Sequence, residues 1–315
     1  MADVEVVELP DGGGNTLRVK KYGGRFWPDF PSESIIGVES LLAREDDVIL
    51  VSYPKSGSHW VWEIICFLMA GTTEIVVADK EVGMIGLVRP ELLEAQPSPR
   101  ILNTHAHFEL MPRDVFNKKT CKLIYVTRDP RDVAVSYYNN HKKLVQYYSY
   151  TGHWKDYLTL YLNGQVDYES WFAYTRGWEQ GIRDNPDLLV HVTSYEALHY
   201  DITGEIYRLA KFLGVEVDAP LVEQIVSETS FATMRQTKGA REIFGGVRPS
   251  SPVMYRKGKV GDWKNWFTVA QSEQFNAVFD QEMAGTKAFE LYSHSKQGQT
   301  ASDENTNETE RNSKY

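Results

Sequence analysis

The chain has 315 residues, 42% of them hydrophobic and 24% charged, with a formal net charge of −9. This fits a globular α/β enzyme and argues against a general polyanion binder such as a nucleic-acid protein, so any anion site must be a local basic pocket in an acidic body. Two cysteines are too few for a disulfide framework or metal site, and the acidic start Met1-Ala2-Asp3-Val4-Glu5 lacks the basic and apolar regions of a signal peptide, so a soluble cytoplasmic protein with no membrane partner is expected.

Residues 1–35, rich in Gly, Pro and aromatics, are expected to form an N-terminal surface segment. From Val48 onward, short β-rich runs alternate with helical stretches, and the predicted strands are Val48–Ser52, Ile101–Thr104, 123–127 and 188–193. The alternation indicates βαβ units. It predicts one α/β domain over residues 36–292, with a central parallel sheet, helices on both faces and ligands at the carboxyl ends of the strands. Residues 293–315 have almost nothing to bury and are expected to be a disordered tail.

At the first strand end, Tyr53-Pro54-Lys55-Ser56-Gly57-Ser58-His59-Trp60 leads into the apolar helix pattern from Val61. Amides at a helix N-terminus, the Lys55 ammonium and the hydroxyls of Ser56 and Ser58 would converge there on one phosphate-like group. The loop is P-loop-like without being a Walker A sequence, because Lys55 precedes Gly57 and no Gly opens it. A triphosphate with magnesium is therefore disfavoured. A second junction, Thr127-Arg128-Asp129-Pro130, reads as a strand end followed by an N-cap and a proline at the first helical position, placing Arg128 beside the first cradle. A third basic loop, Arg256-Lys257-Gly258-Lys259-Val260-Gly261-Asp262, pairs a fork-shaped guanidinium with glycines that let backbone amides approach a ligand. Three such sites suggest a nucleotide with anions at both ends of its ribose.

Taken in order, these three motifs resemble the cytosolic sulfotransferases, which use 3′-phosphoadenosine 5′-phosphosulfate (PAPS) and release 3′-phosphoadenosine 5′-phosphate (PAP). The resemblance spans roughly residues 47–289. It implies that Lys55, Ser56, Gly57, Ser58, His59 and Trp60 hold the 5′-phosphosulfate, with Trp60 stacking on adenine. It assigns the 3′-phosphate to Arg128, Ser136, Arg256, Lys257 and Gly258, and adenine contacts to Tyr195, Thr229, Phe231 and Met234. By the same resemblance His105 would take the proton of an acceptor hydroxyl or amine as it attacks sulfur in line, and Lys55 would stabilise the departing oxygen, with Asn103 and Ser136 nearby. No metal is required.

The sequence departs from the family at Asn103, where Lys is usual, so one cation is expected to be missing. Either His59 or His107, when protonated, could restore that charge; the alternative is that both are plain polar loop residues. The family also implies an aromatic pocket for a small-molecule acceptor, for which Phe26, Phe108, Tyr147, Tyr148, Trp154 and Phe244 are candidates, and a lid over 236–254. Lys264, Thr268, Val269 and Glu273 match its homodimer motif. The alternative is a sulfotransferase-like nucleotide-binding protein with weak or no turnover because of Asn103. A nucleoside-triphosphate kinase is a third reading, weakened by the loop order and the lack of a magnesium carboxylate beside it.

Overall fold

The computed structural model describes residues 3–118, 120–238 and 255–292. The expected tail, and nearly all of the expected lid with Phe244, lie outside these. Two compact units divide the chain, one running through Asp262 and one starting at Trp263.

The first unit is built on a four-stranded parallel sheet of order β5-β4-β6-β7, with β4 at Val48–Ser52, β5 at Ile101–Thr104, β6 at Lys122–Thr127 and β7 at Leu189–Ser194. All five residues of β4 are buried, as a central strand covered on both faces requires. On one face, Val48, Leu50, Ile124 and Val126 pack with Val61, Ile64, Ile65 and Leu68 of the helix Ser58–Ala70 and with Ile206 and Leu209 of the helix Ile202–Leu213. On the other, Tyr125 stacks on Trp178 of the helix Trp171–Asp184, with ring centroids 5.4 Å apart. The expected α/β architecture is therefore present, with each strand within one residue of its predicted bounds.

Residues 1–35 hold more structure than a wrapping segment. A three-stranded antiparallel sheet runs β1 (Glu5–Pro10), β2 (Thr16–Tyr22) and β3 (Arg25–Trp27). Leu17 and Val19 are fully buried on the inner face of β2.

Strand register positions the site. Val51 pairs with Thr104, Ser52 with Val126, and Thr127 with Ser194. The residues just past the strand ends, namely Tyr53 to Lys55, His105, Arg128 and Tyr195, consequently emerge along one edge of the sheet. The strand order reverses between β5 and β6 around β4, and a crevice at such a switch point is where open parallel sheets take ligands.

The second unit carries the helix Val269–Met283, on which Phe275, Phe279 and Met283 repeat at four-residue spacing and are buried. Among the described residues no helix is long and apolar enough to cross a membrane.

Candidate active site

At that sheet edge lies a cavity of about 410 Å³. Lys55, Arg128 and the Arg256–Gly258 turn, which are far apart in sequence, all line it. Of the site residues read from the sequence, Gly57, Ser58, His59, Trp60, His105, Ser136, Tyr195, Thr229, Phe231 and Met234 line it as well. Ser56 and Asn103 do not.

The Lys55 loop closes on the helix Ser58–Ala70 through Gly57, whose φ of 100° places it in the left-handed region. A Cβ there would stand 2.8 Å from the Tyr195 ring, so this position admits only glycine without rearrangement. Lys55 itself has a φ of 69°, a conformation uncommon for a side-chain-bearing residue. Its Nζ donates to Asn140 Oδ1 at 3.0 Å. Burial, reinforced by the charges of Lys80 and Arg128, pulls its pKa down to about 7.

Arg128 joins the loops. Its Nη1 donates to the Lys55 carbonyl at 3.0 Å and its Nη2 to the Lys259 carbonyl at 3.3 Å, while its guanidinium lies 3.9 Å over the Tyr195 ring. Asp132, one helical turn on, faces it at 4.0 Å and also accepts the Gly261 amide at 2.6 Å. Asp129 caps the helix Pro130–Lys143 as expected, its Oδ1 accepting the Arg131 amide at 2.9 Å. In the third segment, Arg256 and Lys257 both pair with Asp262, at 2.6 and 2.7 Å. Gly258, at φ 65°, sits so close to the Phe231 ring that a Cβ would fall 2.2 Å from it.

These features fit a ligand with two oxyanions. The glycines let backbone approach where side chains would block it, three cationic segments meet at one opening, and Arg128 Nε, in the lining, is buried without a hydrogen-bond partner among the described residues. Among the described residues no His, Cys, Asp or Glu cluster could hold a metal.

His105 follows the last residue of β5. Its Nδ1 donates to the Ser52 carbonyl at 2.7 Å, an acceptor that cannot give a proton, so the neutral ring carries its lone pair on Nε2. Burial first, and then the charge of Lys80, holds its pKa well below the usual imidazole value. At neutral pH the ring is therefore an unprotonated base lining the cavity.

Asn103 is not where a second cation-replacing donor would stand. Its Nδ2 donates to the Lys80 carbonyl at 2.5 Å and its Oδ1 accepts from Lys80 Nζ at 3.1 Å. Lys80 is only 3% exposed and lines the cavity. The segment carrying it is fixed to β5 by a parallel bridge between Met84 and Asn103 and by the Ile85 amide donating to the Asn103 carbonyl at 2.8 Å. Sequence reading missed this lysine, because Asp79-Lys80-Glu81 looks like any charged surface turn. The two histidines named as substitutes are both held where burial disfavours their protonation. His107 is buried away from the cavity lining, with Nε2 against the Tyr168 carbonyl at 3.0 Å, and burial lowers its pKa. His59 lines the cavity but pairs with Glu81 at 3.2 Å, and burial lowers its pKa too.

Of the aromatics expected around an acceptor, only Tyr148 lines the cavity among the described residues. Phe108 packs instead on Trp178, at 5.1 Å between centroids, and Trp154 on Tyr138, at 5.6 Å. Phe30, Met84, Tyr137 and Tyr168 take those places in the lining. Tyr168 and Glu169 both adopt left-handed backbone, at φ 58° and 57°, and Tyr168 packs edge-on against His105 at 5.5 Å.

Comparison with known proteins agrees with this geometry. A family model described as the sulfotransferase domain matches residues 45–287. Among curated proteins, sulfotransferase 1B1 of Mus musculus is 35% identical over 265 residues, covering 79% of this chain and 86% of its own length. Sulfotransferase 1C2 of Homo sapiens is 32% identical over 286 residues, covering 87% and 95%. Among solved structures, mouse sulfotransferase SULT7A1 complexed with PAP superposes with a TM-score of 0.73 at 31% identity, covering 87% of this chain and 98% of that one. Retinol dehydratase, at 20% identity and a TM-score of 0.70, shares the fold.

Proposed function

This chain belongs to the sulfotransferase family, and on that premise we propose that it transfers a sulfuryl group from PAPS to a hydroxyl or amine of a small-molecule acceptor, with His105 as the base. The observation that carries the reading is the meeting of Lys55, Arg128 and the Arg256 turn around one cavity that also holds an unprotonated His105.

In this reading the Lys55 loop and the N-terminus of the helix Ser58–Ala70 take the 5′-phosphosulfate. Arg128, Ser136, Arg256, Lys257 and the Gly258 backbone take the 3′-phosphate, and Trp60, Tyr195, Thr229, Phe231 and Met234 enclose the adenine. The acceptor oxygen attacks sulfur as His105 Nε2 accepts its proton. The bond from sulfur to the bridging oxygen breaks with its electron pair on the leaving phosphate, where the Lys55 ammonium stabilises the charge, and PAP departs. Tyr168, Tyr148, Phe30 and Met84 give the acceptor side a largely apolar, aromatic wall suited to a flat ring.

Two further expectations belong to the same reading. The segment holding Lys264, Thr268, Val269 and Glu273 pairs two copies; Val269, 76% exposed in the first turn of its helix, offers an apolar contact. A cytoplasmic location fits Cys66 and Cys121, both free thiols whose pKa burial pushes up to about 12.

The test is incubation with sulfur-labelled PAPS and a panel of phenols, catecholamines, sterols and aliphatic alcohols, with PAP binding measured alongside. Labelled product, lost in His105→Ala while PAP still binds, is expected. PAP binding with no product on any acceptor would favour a nucleotide-binding protein without turnover, and turnover of ATP, with its γ-phosphoryl group passed to an acceptor, but not of PAPS would favour a kinase.

A further inference from the structure

Lys80 is a buried cation of the cavity held by neutral groups. Its side chain is buried and lines the cavity, yet among the described residues no carboxylate lies within 4.0 Å of its ammonium. Its hydrogen-bond partners are the neutral Asn103 Oδ1 at 3.1 Å and, at 3.9 Å, the weakly accepting Met84 sulfur. An ammonium carries three donors. Two are accounted for by protein atoms, and a buried cation is costly unless its remaining donor meets a charge or a strong acceptor.

The neighbouring carboxylate makes no direct ion pair with it: Glu81 acts on the Lys80 charge from further off and is turned to His59 at 3.2 Å. Asn103 holds Lys80 at both ends, by its carbonyl and by its ammonium. Such a two-sided grip fixes the reach of a long, flexible side chain and is what a preorganised electrostatic group needs.

We propose that Lys80, clamped by Asn103, is a catalytic residue that contacts the non-bridging oxygens of the sulfuryl group during transfer. This inference rests on the transferase reading above and names a part of its machinery. Lys80 forms and breaks no covalent bond. The acceptor oxygen bonds to sulfur, its proton passes to His105 Nε2, the electron pair of the broken S–O bond stays on the 5′-phosphate of PAP, and the Lys80 charge offsets the negative charge that the sulfuryl oxygens bring into a dry cavity. Asn103 is then a positioning residue, and the cation missing at position 103 enters from the segment beside β5.

PAP has no sulfuryl group, which makes the experiment selective. In Lys80→Met, kcat with PAPS is expected to fall about 100-fold or more, the range for loss of one preorganised donor, while the Kd of PAP changes less than about threefold. In Lys80→Met/Asn103→Lys, a cation returned from the β5 side is expected to recover at least about tenfold of that loss. His105 faces Lys80, His59, Lys55 and the Ser52 carbonyl; without the Lys80 charge its pKa rises, so the acid limb of kcat/KM moves to higher pH, and because loosened packing would move it the same way, the unchanged Kd of PAP is the readout that separates the two. Should Lys80→Met fail to fold, Asn103→Ala, which leaves the lysine but removes its clamp, is read in the same way, with about tenfold lower kcat at unchanged PAP affinity expected.

Wild-type kcat retained by Lys80→Met, or by Asn103→Ala where that variant is the one read, would overturn the proposal, as would PAP affinity falling in parallel with kcat. No labelled product from the wild-type protein on any acceptor would instead overturn the transferase reading itself.

Discussion

Lys55 is a buried cation among like charges. Burial and the neighbouring charges of Lys80 and Arg128 bring it to a pKa of about 7, with Glu81 and Lys143 as the other charges acting on it. Its charge is therefore present below that pH and lost as pH rises through it, whereas a bound dianion would hold the proton in place. PAP affinity is expected to fall between pH 7 and 9, approaching about tenfold per unit, a range in which the ligand's phosphates have already lost their second proton near pH 6. Titration calorimetry across this range checks it: Lys55→Met should flatten the profile, and a wild-type affinity constant from pH 7 to 9 would show that Lys55 does not face the bound phosphates. At this scale the loop was legible, because Lys55, Ser56 and Gly57 are consecutive and their chemistry is local. Lys80 was not, since its burial depends on β5 running beside it, and no neighbour in sequence betrays that. Ser56 shows the converse: it sits in the right loop, but its hydroxyl is buried beneath the cavity lining rather than exposed in it.

Among elements, the parallel strands do most to build the site, since their register alone brings four strand ends to one edge. What fixes the entry to β4 and β5 is a buried ion pair: Arg100 Nε and Nη2 donate to the two oxygens of Asp47 at 2.8 and 2.5 Å, and Nη2 also reaches the Leu42 carbonyl at 2.8 Å. Both side chains are fully buried. Asp47→Ala leaves the guanidinium uncompensated, for which a loss of about 3–5 kcal/mol is expected. Urea denaturation would measure it, and a change under 1 kcal/mol would mean that the pair does not anchor the strands. Strands β4 to β6 were readable as apolar runs bounded by turn residues. The amino-terminal sheet is legible too, in the alternation around Leu17 and Val19 and in the Gly23-Gly24 pair between Tyr22 and Arg25, which is a hairpin signal. The acceptor wall was not: aromatic residues fill core and pocket alike, and only packing separates Tyr168, which lines the cavity, from Phe108, which supports it.

For the whole molecule, an acidic body of net charge −9 surrounds a cationic opening, so selectivity for a doubly charged nucleotide has to arise inside the cavity rather than from long-range attraction. Oligomeric state is a separate property. If the Lys264 to Glu273 segment pairs copies, sedimentation should give a dimer that Val269→Asp shifts to monomer without loss of PAP binding; a wild-type monomer at every concentration would exclude that pairing. The gathering of the three basic segments around two oxyanions is tested most directly by calorimetric titration with PAP and with adenosine 5′-monophosphate, which lacks the 3′-phosphate. PAP is expected to bind at least about 100-fold more tightly, one to two charge-assisted contacts' worth, with the gap narrowing in Arg128→Ala and Arg256→Ala. Equal affinity for the two nucleotides would contradict it.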